Sequence, residues 1–369
     1  MLSKLACVRQ IRKCVRHNGI FVSFLFLFFL VAFTTLGTTL VHQHTYYRRP
    51  VGGILQDIFP NEEIIQFRFF SYDTEYRYPP IKVDFPQKIK NGTIDLPIVN
   101  RHPFKFIFNA DHVCKGTKQK SLLIVVKSYV GHFALRNVLR KTWIPKAKAY
   151  NIPVVFALGY KKDLQSLVIE ENARHNDIVQ EDFLDVYLNN TYKAIMTFNW
   201  VVENCNHFRY VYFDDDDMFL HLDNLVKHVK MLEMEGTNLF SGSLASRGKP
   251  VRDPHSKWYI SWEEYPFDFW PPYVGGSSMI ASMDIVKDMQ KIFPYVRPLS
   301  FDDVYLGIVL NKLGILPNNN THFDNTILRH FGRLHELIAN HGFDDPVLYS
   351  QTYQLVFPDE KQISHKEKL

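Results

Sequence analysis

The sequence predicts an α/β domain on a mostly parallel central sheet, preceded by a single transmembrane helix and a stem. Three observations lead there. Short apolar runs alternate with helical segments from residue 121 to residue 313, the pattern of strands buried on both faces between covering helices. One run of 22 residues, 20–41, holds no charged residue and no Pro, Asn, Gln or His. Four consecutive acids, Asp214 to Asp217, follow the apolar run 209–213 directly.

The apolar run comes first in chain order. As a helix, 22 residues reach about 33 Å, enough to cross a bilayer core. A buried core helix would show a polar face, and a cleaved signal peptide has a shorter apolar region with a small-residue cleavage site. A retained signal anchor is therefore expected. Five cations precede the run and only Arg48 and Arg49 follow it closely, so the positive-inside rule places residues 1–19 in the cytoplasm and all after residue 41 outside it. This layout is that of a single-pass type II protein.

The same division redistributes the charge. The 369-residue chain has a formal net charge of +5, which raises the question of nucleic-acid binding. Residues 1–49 hold seven Lys and Arg and no acid, leaving 36 basic and 38 acidic residues for the remainder. The basic excess belongs to the anchor, and a nucleic-acid partner loses its support. Repeated prolines from Pro50 to Pro103 mark a stem at 42–113. Three sequons begin at Asn91, Asn189 and Asn319, all on the side expected to be lumenal and all candidate glycosylation sites. Cys114 and Cys205 are the only cysteines on that side; a disulfide between them is expected, with two buried thiols as the alternative.

From residue 121 strands are expected at 121–126, 152–158, 177–180, 209–213, 239–244 and 277–281. Helices are expected at 133–143, 164–175, 187–205, 222–234, 284–293 and 302–313. In such sheets ligands bind beyond the carboxyl ends of the strands, which is where the acidic quartet falls. An acidic run is most simply a solvated turn. Here Phe213, Met218 and Phe219 bracket it and draw it toward the core, where unpaired carboxylates are costly. A divalent cation resolves that cost, and hard oxygen ligands suit Mn²⁺ or Mg²⁺ with a nucleotide diphosphate. No Walker-type loop or GxGxxG is present.

Several further motifs occur in order. Arg136, Arg140, Thr142 and Trp143 form R-x-x-x-R-x-T-W; Asp182-Phe183, Asp185, Tyr187, Asn189, Thr191 and Lys193 follow; then come Asp215-Asp216-Asp217-Met218-Phe219, Lys257-Trp258-Tyr259, Tyr265-Pro266, Pro272-Tyr273 with Gly276 and Ser282, and Asp302-Asp303-Val304. Together, over about residues 114–345, they resemble the β1,3-galactosyltransferases, glycosyltransferase family 31. Two departures stand out: Asp302 replaces the family's Glu, and Gly276-Ser277-Ser278-Met279 replaces G-x-G-Y near the acceptor side.

The resemblance implies a GT-A-type nucleotide-sugar-binding fold and inverting, metal-dependent transfer of a hexose from a UDP-sugar to a glycan hydroxyl in a β1,3 linkage. UDP-galactose is the leading donor, with N-acetylglucosamine or N-acetylgalactosamine transfer as the near alternative. A catalytically inactive membrane lectin or chaperone of the same fold is the alternative of another class. Asp217 is expected to bind Mn²⁺ or Mg²⁺, with Asp215 nearby and His341 as a further ligand. Asp303 is the candidate base, sharing base and helix-capping roles with Asp302. Arg136, Arg140, Asp215 and Asp216 are assigned to the donor, although the two arginines equally suit a helix salt-bridge face. Trp258, Tyr273 and Gly276 are acceptor-side candidates. The expected organisation is a tail at 1–19, an anchor at 20–41, a stem at 42–113, a catalytic domain at 114–345 and a C-terminal tail at 346–369. The expected location is the Golgi membrane, facing a glycoprotein or glycolipid acceptor in the lumen.

Overall fold

The run 122–126 is buried on both sides of the sheet. Leu123 and Val125 join one core cluster, and Leu122, Ile124 and Val126 join another. This double burial requires helices on both faces. The computed structural model describes residues 84–92, 94–115, 120–236, 238–326 and 331–359. The tail at 1–19, the span at 20–41 and the first part of the stem lie outside them; among the described residues no helix is long and apolar enough to cross a membrane.

The main sheet contains β1 (Phe106–Phe108), β2 (Lys120–Lys127), β3 (Val154–Tyr160), β4 (Ile178–Leu184), β5 (Phe208–Asp215), β7 (Tyr273–Ser282), β6 (Phe240–Ala245) and β8 (Asn318–Asn319). Its order is β1-β4-β3-β2-β5-β7-β6-β8. The central set β4-β3-β2-β5 is parallel, but β1 runs antiparallel to β4, and β7 runs antiparallel to both β5 and β6. The sheet is therefore mixed, which corrects the mostly parallel expectation. The alternation of apolar runs does not encode direction, and the chain between β6 and β7 returns without an α-helix to enforce a parallel crossover.

One face is covered by α5 (Asn190–Asn204), α7 (Met283–Ile292) and α8 (Asp302–Lys312). The other is covered by α2 (Phe133–Lys141), α3 (Ile144–Ala149), α6 (Leu222–Glu235) and α9 (Pro346–Val356). Val168 of α4 (Gln165–His175) packs with Val130, Leu158 and Ile178. The single helix expected at 133–143 is two, with buried Trp143 at the junction.

Both ends of the folded body extend past residues 114–345. Helix α1 (Phe85–Asn91) is capped by Asp84, whose Oδ1 accepts from Gln87 N at 2.9 Å, and it buries Phe85 in the core. Asn100 Nδ2 donates to Phe293 O and Tyr305 Oη. Cys114 is joined to Cys205 by a disulfide, with a Cα separation of 5.2 Å. At the other end, Asp345 caps α9 and Pro346 starts it, while Tyr349 and Tyr353 pack around Phe219. A second, three-stranded sheet joins β9 (Met218–Leu220), β10 (Phe323–Asp324) and β11 (Ala339–His341); β11 pairs with both of the others. This small sheet carries the end of the chain back to the acidic quartet.

Candidate active site

Because β2, β3, β4 and β5 are parallel, their carboxyl ends share one edge, and a cleft of about 820 Å³ opens there. Asp215, Asp216, Asp217, Asp302, Asp303, His341, Trp258, Tyr273 and Gly276 all line it. Strand alternation sends the quartet's side chains in different directions. Asp214 is buried, accepts from Tyr212 Oη at 2.8 Å, and is pushed far above the usual carboxylate range by burial. Asp216 points under the loop after β2, accepting from Ser128 Oγ at 2.5 Å and facing His132 Nδ1 at 3.0 Å.

Asp215 and Asp302 share a cation. Lys127 ends β2 almost fully buried; its Nζ lies 2.7 Å from Asp302 Oδ2 and 3.1 Å from Asp215 Oδ1, and donates to Gly276 O at 2.8 Å. Burial alone would lower this ammonium's pKa, but Asp215 and Asp302 outweigh it and hold the pKa above the ordinary range. Burial raises Asp302 and Lys127 reverses it, leaving that carboxyl below its ordinary value. Asp303 accepts from its neighbour's amide, Val304 N, at 2.7 Å. It is pushed up to about 7 by burial and by Asp302 beside it. Asp215 also reaches about 7: burial drives it up, Lys127 opposes, and Asp217 and Asp302 add to the rise. Gly276 lets β7 approach this pair, since a Cβ there would stand 3.1 Å from Asp302 Oδ1 and 3.3 Å from Asp303 Cβ.

Strand β11 sets His341 opposite Met218, and its Nε2 comes to 3.2 Å from Asp217 Oδ2. That contact raises the His341 pKa above its ordinary value. The other oxygen, Asp217 Oδ1, is buried and finds no hydrogen-bond partner among the described residues. Among those residues no group of three or more His, Cys, Asp or Glu is gathered to hold a metal ion as it stands. Asp217 and His341 meet, whereas Asp215 is drawn to Lys127. An orphaned carboxylate oxygen beside an imidazole is still a donor set that fits Mn²⁺ or Mg²⁺.

Arg136 and Arg140 do not line the cleft, which corrects their assignment to the donor. Arg136 is fully buried and all five of its donors are taken: Glu171 receives two, and Ser128 Oγ, Tyr129 O and Val130 O one each. Arg140 binds Asp177 through two nitrogens and Glu171 through a third. Arg136 thus shapes the loop that the cleft uses rather than touching what enters it. Asp185 completes that loop by accepting from Val130 N, Gly159 N and Lys193 Nζ at 2.9, 3.0 and 2.8 Å.

Lys127, Ser128 and His132 went unassigned in the sequence, although a lysine closing an otherwise apolar strand is a visible signal for the first. Trp258 Nε1 donates to Tyr187 Oη at 3.0 Å across the mouth. The surrounding lobe is held by Arg252, whose guanidinium lies 3.9 Å over the Trp262 ring and donates to four backbone carbonyls. The sequon asparagines lie outside the cleft lining. Asn91 and Asn319 are exposed, while Asn189 is half-buried and donates to Leu184 O at 2.8 Å.

Residues 134–321 match the family model described as Galactosyltransferase. A lactosylceramide 1,3-N-acetyl-beta-D-glucosaminyltransferase of Xenopus tropicalis is 31% identical over 303 residues, covering 78% of this chain and 80% of that one. The chain belongs to the galactosyltransferase family. Mouse beta-1,3-galactosyltransferase 1, 34% identical over 238 residues, covers 63% of this chain and 72% of its own length. Among solved structures, the galactosyltransferase LgtC with donor and acceptor sugar analogues overlaps 63% of this chain and 95% of its own, at 12% identity and a TM-score of 0.35, a likeness too slight to argue from. As a member of the family that includes β1,3-galactosyl- and β1,3-N-acetylglucosaminyltransferases, the chain is a glycosyltransferase that uses a nucleotide-sugar donor.

Proposed function

We propose that the cleft moves a hexose, foremost galactose, from a UDP-sugar to a glycan hydroxyl with inversion, forming a β1,3 linkage. The observation that carries this reading is the contrast between two neighbouring carboxylates. Asp302 is neutralised by Lys127 at 2.7 Å, whereas Asp303 has no cation partner among the described residues and stands raised to about 7. A general base works best when its pKa lies near the working pH. Asp303 takes the proton of the acceptor hydroxyl as that oxygen bonds to the anomeric carbon; the bond from that carbon to the diphosphate oxygen breaks, and UDP departs. Asp302 and Lys127 fix the start of α8 so that Asp303 keeps its direction. Asp217 and His341 would hold Mn²⁺ or Mg²⁺, with Asp215 adjacent; when bound, the ion supplies positive charge to the leaving diphosphate.

The identity to the Xenopus enzyme over 80% of its length favours a second donor, UDP-N-acetylglucosamine. The acceptor is a glycan on protein or lipid. In this reading residues 20–41 anchor the chain in the Golgi membrane, with the cleft in the lumen. The test is a panel of UDP-sugars with Mn²⁺ or Mg²⁺ on the full chain in detergent, scoring hydrolysis and transfer. Turnover of one donor with loss on chelation supports the reading; no turnover of any UDP-sugar overturns it.

A further inference from the structure

Two short segments beside the cleft leave large apolar side chains in water. Leu184 and Leu188, each 56% exposed, flank Tyr187, and Trp258 and Trp262 are 52% and 41% exposed. The Trp258–Tyr187 hydrogen bond ties the segments together, and Tyr187 and Trp258 both line the cleft. Lys257, at the same mouth, holds its ammonium 4.6 Å from the centre of the Trp258 ring and 5.7 Å from that of Tyr187. Single exposed apolar residues are ordinary in a soluble body, but a joined patch of them marks a contact surface.

The composition indicates the partner. Indole and phenol rings with leucines, and the Lys257 ammonium beside them, suit the boundary between hydrocarbon and headgroups. Exposed Asp253, Glu263 and Asp268 on the same segment outnumber Lys257, so the rim suits zwitterionic rather than anionic headgroups. The position agrees, because the patch is continuous with the opening through which an acceptor enters. The expected span ends at residue 41 and the described fold starts at residue 84. An extended connection of that length reaches up to about 140 Å. A reach of that length is enough for the rim to meet the bilayer in which residues 20–41 are expected. We propose that this rim is a lipid-facing surface that seats the cleft's mouth at the bilayer carrying the acceptor. The proposal rests on the reading of the chain as an anchored transferase.

The tryptophans provide the test. Of five, Trp143, Trp200 and Trp270 are buried, and residues 1–83 contain none, so Trp258 and Trp262 report on the rim. The full chain is reconstituted in phosphatidylcholine vesicles whose acyl chains are brominated near the headgroup. The rim should lose about a third of the emission seen with unbrominated lipid, since amphipathic rings settle at that depth. The variant W258F/W262F should show no such loss. An unquenched parent, or quenching that survives in the double variant, overturns the proposal. As a second readout, L184S/L188S should lower transfer to a lipid-linked acceptor about tenfold while leaving transfer to the same glycan on a hydrophilic linker unchanged. Equal effects on both acceptors, or none on either, overturn it. Quenching without turnover of any UDP-sugar would fault the transferase reading and leave the lipid-facing surface standing.

Discussion

The base assignment yields a pH profile. With Asp303 pushed up to about 7, its ionised fraction is about 0.09 at pH 6 and about 0.91 at pH 8. The base acts only when deprotonated, so kcat/KM should climb about tenfold between those values. Replacing Asp303 with Asn removes the proton acceptor while retaining a side-chain oxygen for Val304 N. The rate should fall by about 10²- to 10⁴-fold, the usual share of a positioned base, and the residual rate should be flat from pH 6 to 8. The assay is UDP release with donor, acceptor and metal concentrations held constant. Asp215 also sits near 7, so the residual profile of Asp303→Asn is the deciding measurement. If it still climbs tenfold, the titrating group is another residue of the cleft, Asp215 or one of the imidazoles of His132 and His341. If the variant keeps a near-normal rate, the base moves to Asp302.

Three further outcomes follow from the geometry. Lys127→Met leaves Asp302 and Asp215 without their shared cation and should cost about 3–5 kcal/mol of stability, read by urea unfolding; an unchanged midpoint and slope would refute the pairing. Asp217→Ala should abolish metal-stimulated turnover while the thermal midpoint without metal stays within a few degrees, and normal turnover with Mn²⁺ would remove Asp217 from the donor set. Cys205→Ser opens a cross-link between positions 91 residues apart and should cost about 2–5 kcal/mol in the unfolding midpoint under non-reducing conditions; no loss would show that the link does not support the fold.

Much of the sheet was legible because its strands are apolar enough to be buried on both faces, as in 122–126. The same property hid their direction: β7 has a strand's composition whether it runs with β5 or against it. The short pieces escaped for another reason. β1, β9 and β11 have three residues each and are strands only because a neighbour pairs with them. In the cleft, the acidic quartet was visible as a cluster, but its division of labour was not. Only the fold shows that Asp214 turns inward, Asp216 sits under Ser128, and Asp217 alone keeps a bare buried oxygen. Arg136 and Arg140 show the opposite limit. Their spacing revealed a shared helix face, yet the acids that claim them, Glu171 and Asp177, lie more than thirty residues further on.

The short strand β11 also sets a schedule. It brings His341 to Asp217 by pairing with β9, so the quartet meets its imidazole only after residue 341 has been made. A nascent polypeptide stopped before that strand contains both acidic clusters and the buried lysine but lacks His341 from the cleft's lining. The Asp217–His341 contact therefore forms after every other residue lining the cleft has been made, and shortened translation products or C-terminal deletions reaching residue 341 lose it.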